Sequence, residues 1–364
     1  MHALEEQWRT TELPTTEAEI WRYSRIEELD LARFEPGALE SAITGPGDHV
    51  RTGGELVDLF PDERPDVFAD LNAQFAATTH VAIPSGTAIE APIVVTHVVP
   101  AGGAMVCPRL VIEAGRDSQV TVIECFVSET GGPALVLPVL QIHAAEASRV
   151  QYLAINQLST EAWSIGHQQA VGERDSSTLL ASVALGGDYA RVRTEARLVG
   201  SGASTRQVAL YFAGGRQMHD FRTIQDHAAP HTTSDLLFKG AVQDNSKSVY
   251  TGLIRIRENA KGSNAFQTNR NLTLSEGAWA ESVPNLEIET NDVRCSHAST
   301  VGPIDDEQLF YIESRGVPTP VAERLVVLGF FDEVLAQLPM PALTAELRQR
   351  VATKFDNRER AAAA

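Results

Sequence analysis

Three histidines and two carboxylates lie close together in the segment 218–231, and these residue types could hold a metal ion. Imidazole and carboxylate suit iron, zinc or manganese, so one hypothesis is a metal-binding enzyme that uses His219, His227 and His231. The chain contains no His-x-Asp or His-x-Glu pair, and Pro230 interrupts the spacing. We therefore favour hydrogen-bonded polar side chains at a corner of the fold, with the metalloenzyme as the alternative.

Cys295 and His297 are the second place where the sequence could carry chemistry. Residues two apart on a strand point to the same face, so a thiolate and a neutral imidazole could be presented together and ligate iron. The competing interpretation is a small buried thiol beside a surface histidine. On residue types alone that second interpretation is favoured, because cysteine is among the residues most often buried.

Composition and missing motifs exclude several classes of function. The 364 residues carry a formal net charge of −18, which repels phosphate-rich polymers, so neither nucleic acid nor an anionic membrane surface is expected as a partner. No phosphate-binding loop, serine-hydrolase elbow or zinc-protease helix is found. We see no secretory signal and no apolar run long enough to span a membrane, and the odd number of cysteines fits reduced thiols in a cytoplasm.

A repeat of strands must position any such site. From about residue 80 the chain becomes a series of short Val/Ile/Thr-rich runs, typical of β-strands. A polar turn ending in serine precedes a strand at a nearly constant interval, which predicts a parallel β-helix whose coils bury their apolar sides by stacking. A β-sandwich is the alternative fold, and a polysaccharide-active solenoid enzyme would be expected to show an export signal and clustered acidic groups, which we do not see. The repeated serines are Ser118, Ser148, Ser177, Ser204, Ser234 and Ser263.

The strand region is flanked by two segments of different character. Residues 1–76 read as a small, partly helical region with an amphipathic helix over 17–29, residues 77–303 as the β-helix core, and residues 304–364 as a C-terminal helical region. Asp305 is placed to cap the first C-terminal helix, and Thr319 is predicted to cap a second, very apolar helix that runs to Leu338. The last helix carries an apolar stripe on a charged background, formed by Leu343, Leu347, Val351 and Phe355.

The segment 284–316 decides between these interpretations. It contains Pro-Asn-Leu-Glu-Ile-Glu-Thr-Asn-Asp, then Val-Arg-Cys-Ser-His-Ala-Ser-Thr-Val-Gly, and it ends in Ser-Arg-Gly. It closely resembles the SufB/SufD family, scaffold subunits of the SUF iron–sulfur cluster assembly machine. Cys-Ser-His followed by Thr-Val-Gly is most similar to the SufD branch. Other segments that resemble the family are 19–24, 230–234 and 267–272.

This resemblance implies a right-handed parallel β-helix flanked by N-terminal and C-terminal helical regions, in agreement with the repeat. It implies a non-catalytic scaffold that pairs with a SufB-like paralog through the C-terminal end of the β-helix and binds a SufC-like ABC-type ATPase through its C-terminal helices. Whether the chain also forms a homodimer is left open. No tightly bound cofactor is expected on the isolated chain, and a transient iron–sulfur cluster is expected in the complex.

The same resemblance implies site residues. His297, together with Cys295, is the expected set of iron or cluster ligands at the interface with the paralog. Ala298-Ser299 stands where the family usually has Gly-Ala, which removes a residue that adopts positive φ easily. The residues expected to dock a partner are Leu325, Leu328, Phe330, Phe331, Leu347, Val351 and Phe355.

Overall fold

The computed structural model describes residues 7–362, which form a β-solenoid of about eight turns with helices at its C-terminal end. The start of the predicted N-terminal region, residues 1–6, and the last two residues, 363–364, lie outside the described residues. The predicted β-solenoid is confirmed. From residue 139 onward, strands that follow each other along the chain alternate between two sheets, so each turn contributes one strand to either side of a narrow lumen.

The strands belong to two sheets of twelve and nine strands. Sheet A contains β1 Glu35–Pro36, β3 Val50–Thr52, β4 Ala77–Ile83, β6 Ala104–Val106, β7 Pro108–Ala114, β9 Ala134–Val136, β10 Val139–Ala144, β12 Ala162–Gly172, β14 Tyr189–Leu198, β16 Met218–His227, β18 Lys247–Ile256 and β20 Trp279–Ile288. Sheet B contains β2 Glu40–Thr44, β5 Ile93–Val99, β8 Gln119–Ser128, β11 Arg149–Gln157, β13 Ser177–Ala184, β15 Ser204–Ala213, β17 Thr233–Val242, β19 Ser263–Thr273 and β21 Val293–Gly302.

Strand pairing explains the serine repeat. From β4 onward each strand pairs in parallel with the strand one turn away in the same sheet, which rules out the antiparallel pairing of a β-sandwich. Ser177 lies directly beside Ser204 in this register. Other repeated serines sit one residue to either side of the same stacked position, as Ser234 does beside Thr205. The interval between the repeated serines therefore corresponds to the length of one turn of the solenoid.

A column of left-handed residues closes the corner before seven strands of sheet B, from β5 to β19. One residue in each of seven successive turns has a φ between 53° and 77°. Its N–H donates to a carbonyl of the next turn, as Asp117 does to Glu146 and His231 does to Lys261. The position holds different residue types, so the sequence pattern did not reveal it. The column consists of Gly86, Asp117, Ala147, Asp175, Gly202, His231 and Gly262.

The flanking regions each cover one outer face of the solenoid. Buried residues of the N-terminal region, such as Trp21, pack on sheet A beside Trp163. The C-terminal helices pack on sheet B, where Phe331 lies 6.0 Å from Phe212 between ring centroids. The helices are α1 Val67–Phe75, α2 Asp306–Glu313, α3 Thr319–Leu335 and α4 Pro341–Ala362, and short 3-10 turns span Gln7–Thr10, Glu19–Trp21, Ile26–Glu28, Leu31–Arg33 and Gly47–His49.

Two predicted helices differ from the structure. The amphipathic helix expected over 17–29 is wrong, since this stretch forms only the two 3-10 turns at Glu19–Trp21 and Ile26–Glu28, separated by Tyr23 at a φ of 66°. Asp305 caps α2 as predicted, accepting from the N–H groups of Glu307 and Gln308. Helix α3, however, begins at Thr319 after Pro318 and ends at Leu335.

Buried arginines hold the N-terminal segment on sheet A. Arg191 donates to the Ile20 carbonyl and Arg222 to the Arg22 carbonyl, both at 2.7 Å. Asp220, fully buried, accepts from both guanidinium groups at 2.6 Å. Because buried charges are tolerated when paired and hydrogen-bonded, this network fixes irregular backbone without a helix.

The predicted docking residues are corrected by their burial. Five of the seven are at most 3% exposed, because they form the contact between α3, α4 and the outer face of sheet B. They cannot touch a partner while the helices stay in place. The five are Leu328, Phe331, Leu347, Val351 and Phe355. Phe330 is half-buried against the same core, and Leu325 is 47% exposed.

Among the described helices, none has the length and apolar character to cross a membrane.

Candidate functional site at the C-terminal end of the solenoid

The last turn of the solenoid leaves two strand edges without a partner. Within the described residues β20 pairs only with β18, and β21 pairs only with β19. Both terminal strands are ten residues long, none of their residues is buried, and β21 is mostly exposed along its length. Large apolar side chains are exposed there, including Leu286, Ile288 and Val301 at 37%, 44% and 45%. Such an edge is a template for pairing with another chain.

Cys295 and His297 lie on β21 and share its inward-facing side. Cys295 is in register with Ala265 and His297 with Gln267, both of which are buried in the lumen. Cys295 packs on the small apolar cluster formed by Ile254, Ile256, Ala260 and Ala265. The structure therefore presents the two residues on the same face, as expected for positions two apart on a strand.

The two side chains differ in their surroundings. Cys295 is half-buried, and this burial raises the pKa of its thiol. His297 is exposed at the open mouth of the lumen, and no hydrogen bond or ion pair is formed by it within 7–362. Because a thiol must lose its proton to bind a metal, His297 is the readier ligand of the two in the isolated chain.

The backbone beside His297 is regular. β21 is extended through Ala298 and Ser299, neither of which has a positive φ. Ser299 donates to Ser282 of β20 at 2.7 Å, so a hydrogen bond spans the lumen mouth next to His297. The presence of Ala298-Ser299, where the family usually has Gly-Ala, thus leaves the path of the strand undisturbed.

The histidines of the segment 218–231 do not come together. His219 and His227 lie at the two ends of β16, which separates them by roughly 26 Å at the rise of a β-strand. Both ring nitrogens of His227 are held by hydroxyls, Nδ1 by Thr232 at 2.7 Å and Nε2 by Ser234 at 2.8 Å. His231 is the left-handed corner residue described above.

The other groups of that segment have structural roles as well. The Nε2 of His219 lies 3.2 Å from the Gly186 carbonyl, and burial lowers the pKa of this imidazole to about 3. Asp220 is held by two arginines, and Asp226 pairs with Arg257 at 2.5 Å. Among the described residues, no group of three or more His, Cys, Asp or Glu could hold a metal ion. The alternative metalloenzyme on His219, His227 and His231 therefore has no support.

Sequence reasoning missed Gln267, which lies directly beneath His297. Its side chain is 2% exposed, and neither its amide oxygen nor its amide nitrogen has a partner in the described structure. The alternation of amides at Gln267, Asn269 and Asn271 was visible in the sequence. On a strand this alternation places all three on one face, and that signal could have indicated an amide-lined lumen.

A second exposed apolar surface lies on the C-terminal helices. Phe310 and Tyr311 of α2 are 71% and 60% exposed, and Val321 and Leu325 of α3 are both 47% exposed. Single exposed apolar residues are ordinary, whereas a contiguous apolar patch marks a contact surface. These four side chains lie on two helices that pack against each other, which favours this part of the helices as a contact surface. Of the predicted docking residues, only Leu325 belongs to it.

The comparisons with known proteins identify the family of the chain. The family described as "SUF system FeS cluster assembly, SufBD core domain" matches residues 97–330. The chain therefore belongs to the SufBD family of the SUF system for iron–sulfur cluster assembly.

Individual relatives cover most of the chain. An iron–sulfur cluster assembly SufBD family protein of Mycobacterium bovis is 32% identical over 362 residues, 95% of this chain and 89% of the relative. The iron–sulfur cluster assembly protein SufD of Escherichia coli is 27% identical over 385 residues, 96% of this chain and 91% of the relative. SufD of Bacillus subtilis is 28% identical over 267 residues, covering 73% of this chain and 61% of its own length. The resemblance inferred from the segment 284–316 is confirmed.

Proposed function

We propose that the chain is a SufD-like, non-catalytic scaffold subunit on which an iron–sulfur cluster is assembled together with a SufB-like paralog. The observation that carries this proposal is the open C-terminal end, where an exposed His297, without a partner among the described residues, lies on one of two free strand edges. Family membership supports the system, and the relatives named SufD support the branch.

The paralog would cover β20 and β21. Parallel or antiparallel addition of a strand satisfies the free N–H and C=O groups of an edge, and the exposed Leu286, Ile288 and Val301 supply apolar contact. A second copy of this chain could occupy the same edges when the paralog is absent.

His297 would supply one cluster ligand at that interface, with Cys295 as a second. The two groups fit iron chemistry, since imidazole and thiolate both ligate iron–sulfur clusters. Two ligands are fewer than a cluster needs, so the remaining ligands would come from the paralog. The cluster is cargo in this proposal, built at the interface and passed on, rather than a resident cofactor.

An ABC-type ATPase would dock on α2 and α3. Phe310, Tyr311, Val321 and Leu325 form the exposed surface, while the buried residues of α3 and α4 hold both helices on sheet B. Deleting these helices would uncover that face, so point substitutions are the cleaner test. Phe310→Ser with Leu325→Ser is expected to abolish co-purification of the ATPase and to leave the paralog bound.

We place the protein in the cytoplasm, where its three free thiols, Cys107, Cys125 and Cys295, would stay reduced. The function is tested by purifying the complex from native cells with wild-type chain or His297→Ala. The proposal predicts normal subunit content and strongly reduced cluster absorbance for His297→Ala. Normal absorbance would refute the ligand role.

A further inference from the structure

A column of inward-facing residues runs along sheet B and ends at His297. In register it contains Gln207 of β15, Leu236 of β17, Gln267 of β19 and His297 of β21. The first three are at most 2% exposed. Each side chain of the column points into the lumen, so His297 is stacked one strand above the amide of Gln267.

The amide of Gln267 is exceptional on its own strand. Asn271 accepts from Tyr211 at 2.7 Å and donates to Asn269 at 2.8 Å. Asn269 donates to Tyr211 at 2.9 Å. Gln267, on the same face and equally buried, has neither bond. Buried amides are ordinarily satisfied. Within the described residues Gln207 and Gln225 are also buried without a partner, and Gln267 differs from them in lying one strand beneath an imidazole that has no partner.

The fold makes room for this amide at the level of the lumen mouth. Gly252 of β18 faces it across the lumen, and a Cβ atom at Gly252 would lie 2.4 Å from the Gln267 amide nitrogen. Any larger residue there would displace the amide. The side chain is thus held extended across the lumen, with the strand that carries His297 about 4.8 Å above it.

Stacked amides on neighbouring strands bond along the stacking direction, as in glutamine ladders. The one neighbour of Gln267 toward the open end is His297, whose ring is itself without a partner among the described residues. A ligating imidazole needs its second nitrogen held, because that bond selects the tautomer and aims the ring.

We infer that Gln267 is a positioning residue for His297: once the paralog covers the open end, the Gln267 amide hydrogen-bonds the imidazole, so that one ring nitrogen faces the cluster. This inference rests on the proposed ligand role of His297. Gln267 touches neither iron nor sulfide in this arrangement and acts only through the ring.

The matched variants are Gln267→Met and Gln207→Met, which remove the same amide from the same column at similar burial. Gln207 lies two turns deeper, so its loss leaves His297 untouched. The readout is the pair of ¹⁵N ring shifts of His297 in a complex of ¹⁵N-labelled chain with unlabelled paralog, assigned by the signals missing in His297→Ala. Gln267→Met is expected to move these shifts toward those of free imidazole, and Gln207→Met to leave them unchanged.

Gln267→Glu serves as the conservative variant, because it keeps an acceptor of equal length beneath the ring. It is expected to preserve a single His297 tautomer. In the complex, Gln267→Met should weaken cluster retention by about tenfold, the usual effect of losing a group that orients a ligand.

Identical His297 shifts in Gln267→Met and wild type would overturn the inference, as would equal changes from Gln207→Met. The separate failure of the proposed function has its own signature. If His297→Ala complexes load clusters normally while Gln267→Met still moves the ring shifts, the positioning contact stands and the ligand role falls.

Discussion

The two ends of the solenoid differ in whether their full-length strand edges are uncovered and in whether their inward-facing histidine is hydrogen-bonded. At the N-terminal end, two short strands terminate the sheets: β2 pairs antiparallel with β5, and β3 pairs antiparallel with β4. At the C-terminal end, β20 and β21 are full-length and uncovered within the described residues. Natural sheets blunt the edges that must not pair, which favours the uncovered end as the proposed association surface.

The histidines make the same contrast within one sheet. His97 of β5 is 1% exposed, with Nε2 at 2.9 Å from Glu124 and Nδ1 at 2.8 Å from Ser41. Tyr152 completes this network by donating to Glu124. His297 of β21 has no partner in the described chain and is exposed. A satisfied polar cluster stabilises the fold, whereas an unsatisfied exposed imidazole is available for a ligand.

The largest expected effect separates the two histidines by stability. His97→Ala leaves the buried Glu124 without its imidazole and should lower the free energy of unfolding by roughly 3–5 kcal/mol. His297→Ala removes an exposed ring and should change it by less than about 0.5 kcal/mol. Urea denaturation of both variants measures the difference. Equal losses of free energy of unfolding in the two variants would mean that the two histidines do not differ in their contribution to stability.

Association with the SufB-like paralog should depend on the open end. Ile288→Lys with Val301→Lys places two charges on the uncovered strands and should weaken binding of the SufB-like paralog by about 30-fold or more. Leu56→Lys, at a 43% exposed apolar residue of the N-terminal region, is the matched control. Binding is measured by titration of purified subunits. A comparable loss in the control would break the assignment of the interface.

The smallest expected effect is a pH dependence of stability at the contact between helix α4 and the solenoid. Lys354 of α4 donates to the Leu185 carbonyl and to Gln217, and burial lowers the pKa of its ammonium to about 7, with Asp244 opposing the shift. The buried His219 also lies near this ammonium. The unfolded chain keeps the proton to higher pH, so the stability linked to Lys354 is absent below about pH 7 and grows as the pH rises toward the unfolded value.

Lys354→Met removes this dependence. Its free energy of unfolding should exceed that of wild type most at pH 6, and the difference should shrink by pH 9. Arg348 lies on the same helix as Lys354 and forms an exposed pair with Asp332 of α3, so Arg348→Met should show no such trend. A constant difference between Lys354→Met and wild type would contradict the account of this contact.

The repeat of the solenoid and the cap of helix α2 could be predicted from the sequence. One turn of the solenoid has a nearly fixed length, so the serine interval survived as a signal, and Asp305 marked a helix start because a carboxylate there satisfies free N–H groups. The left-handed corner column was invisible, because Gly, Asp, Ala and His all occupy it. Local patterns also could not say that the apolar stripe of α4 faces sheet B.

The candidate site was predictable only in part. Spacing placed Cys295 and His297 on one face, and the resemblance to a family singled them out. Neither could show that the strand is the last of its sheet, that His297 is exposed while Cys295 is half-buried, or that Gln267 lies beneath the ring, because these depend on register and on where the solenoid stops.

The most direct test of the central claim is pulsed electron paramagnetic resonance of the reduced cluster in complexes whose histidines carry ¹⁵N. The account predicts a ¹⁵N coupling from a ligating imidazole that disappears in His297→Ala and survives in His227→Ala. A coupling that persists in His297→Ala, or a wild-type cluster with no histidine coupling, would contradict it.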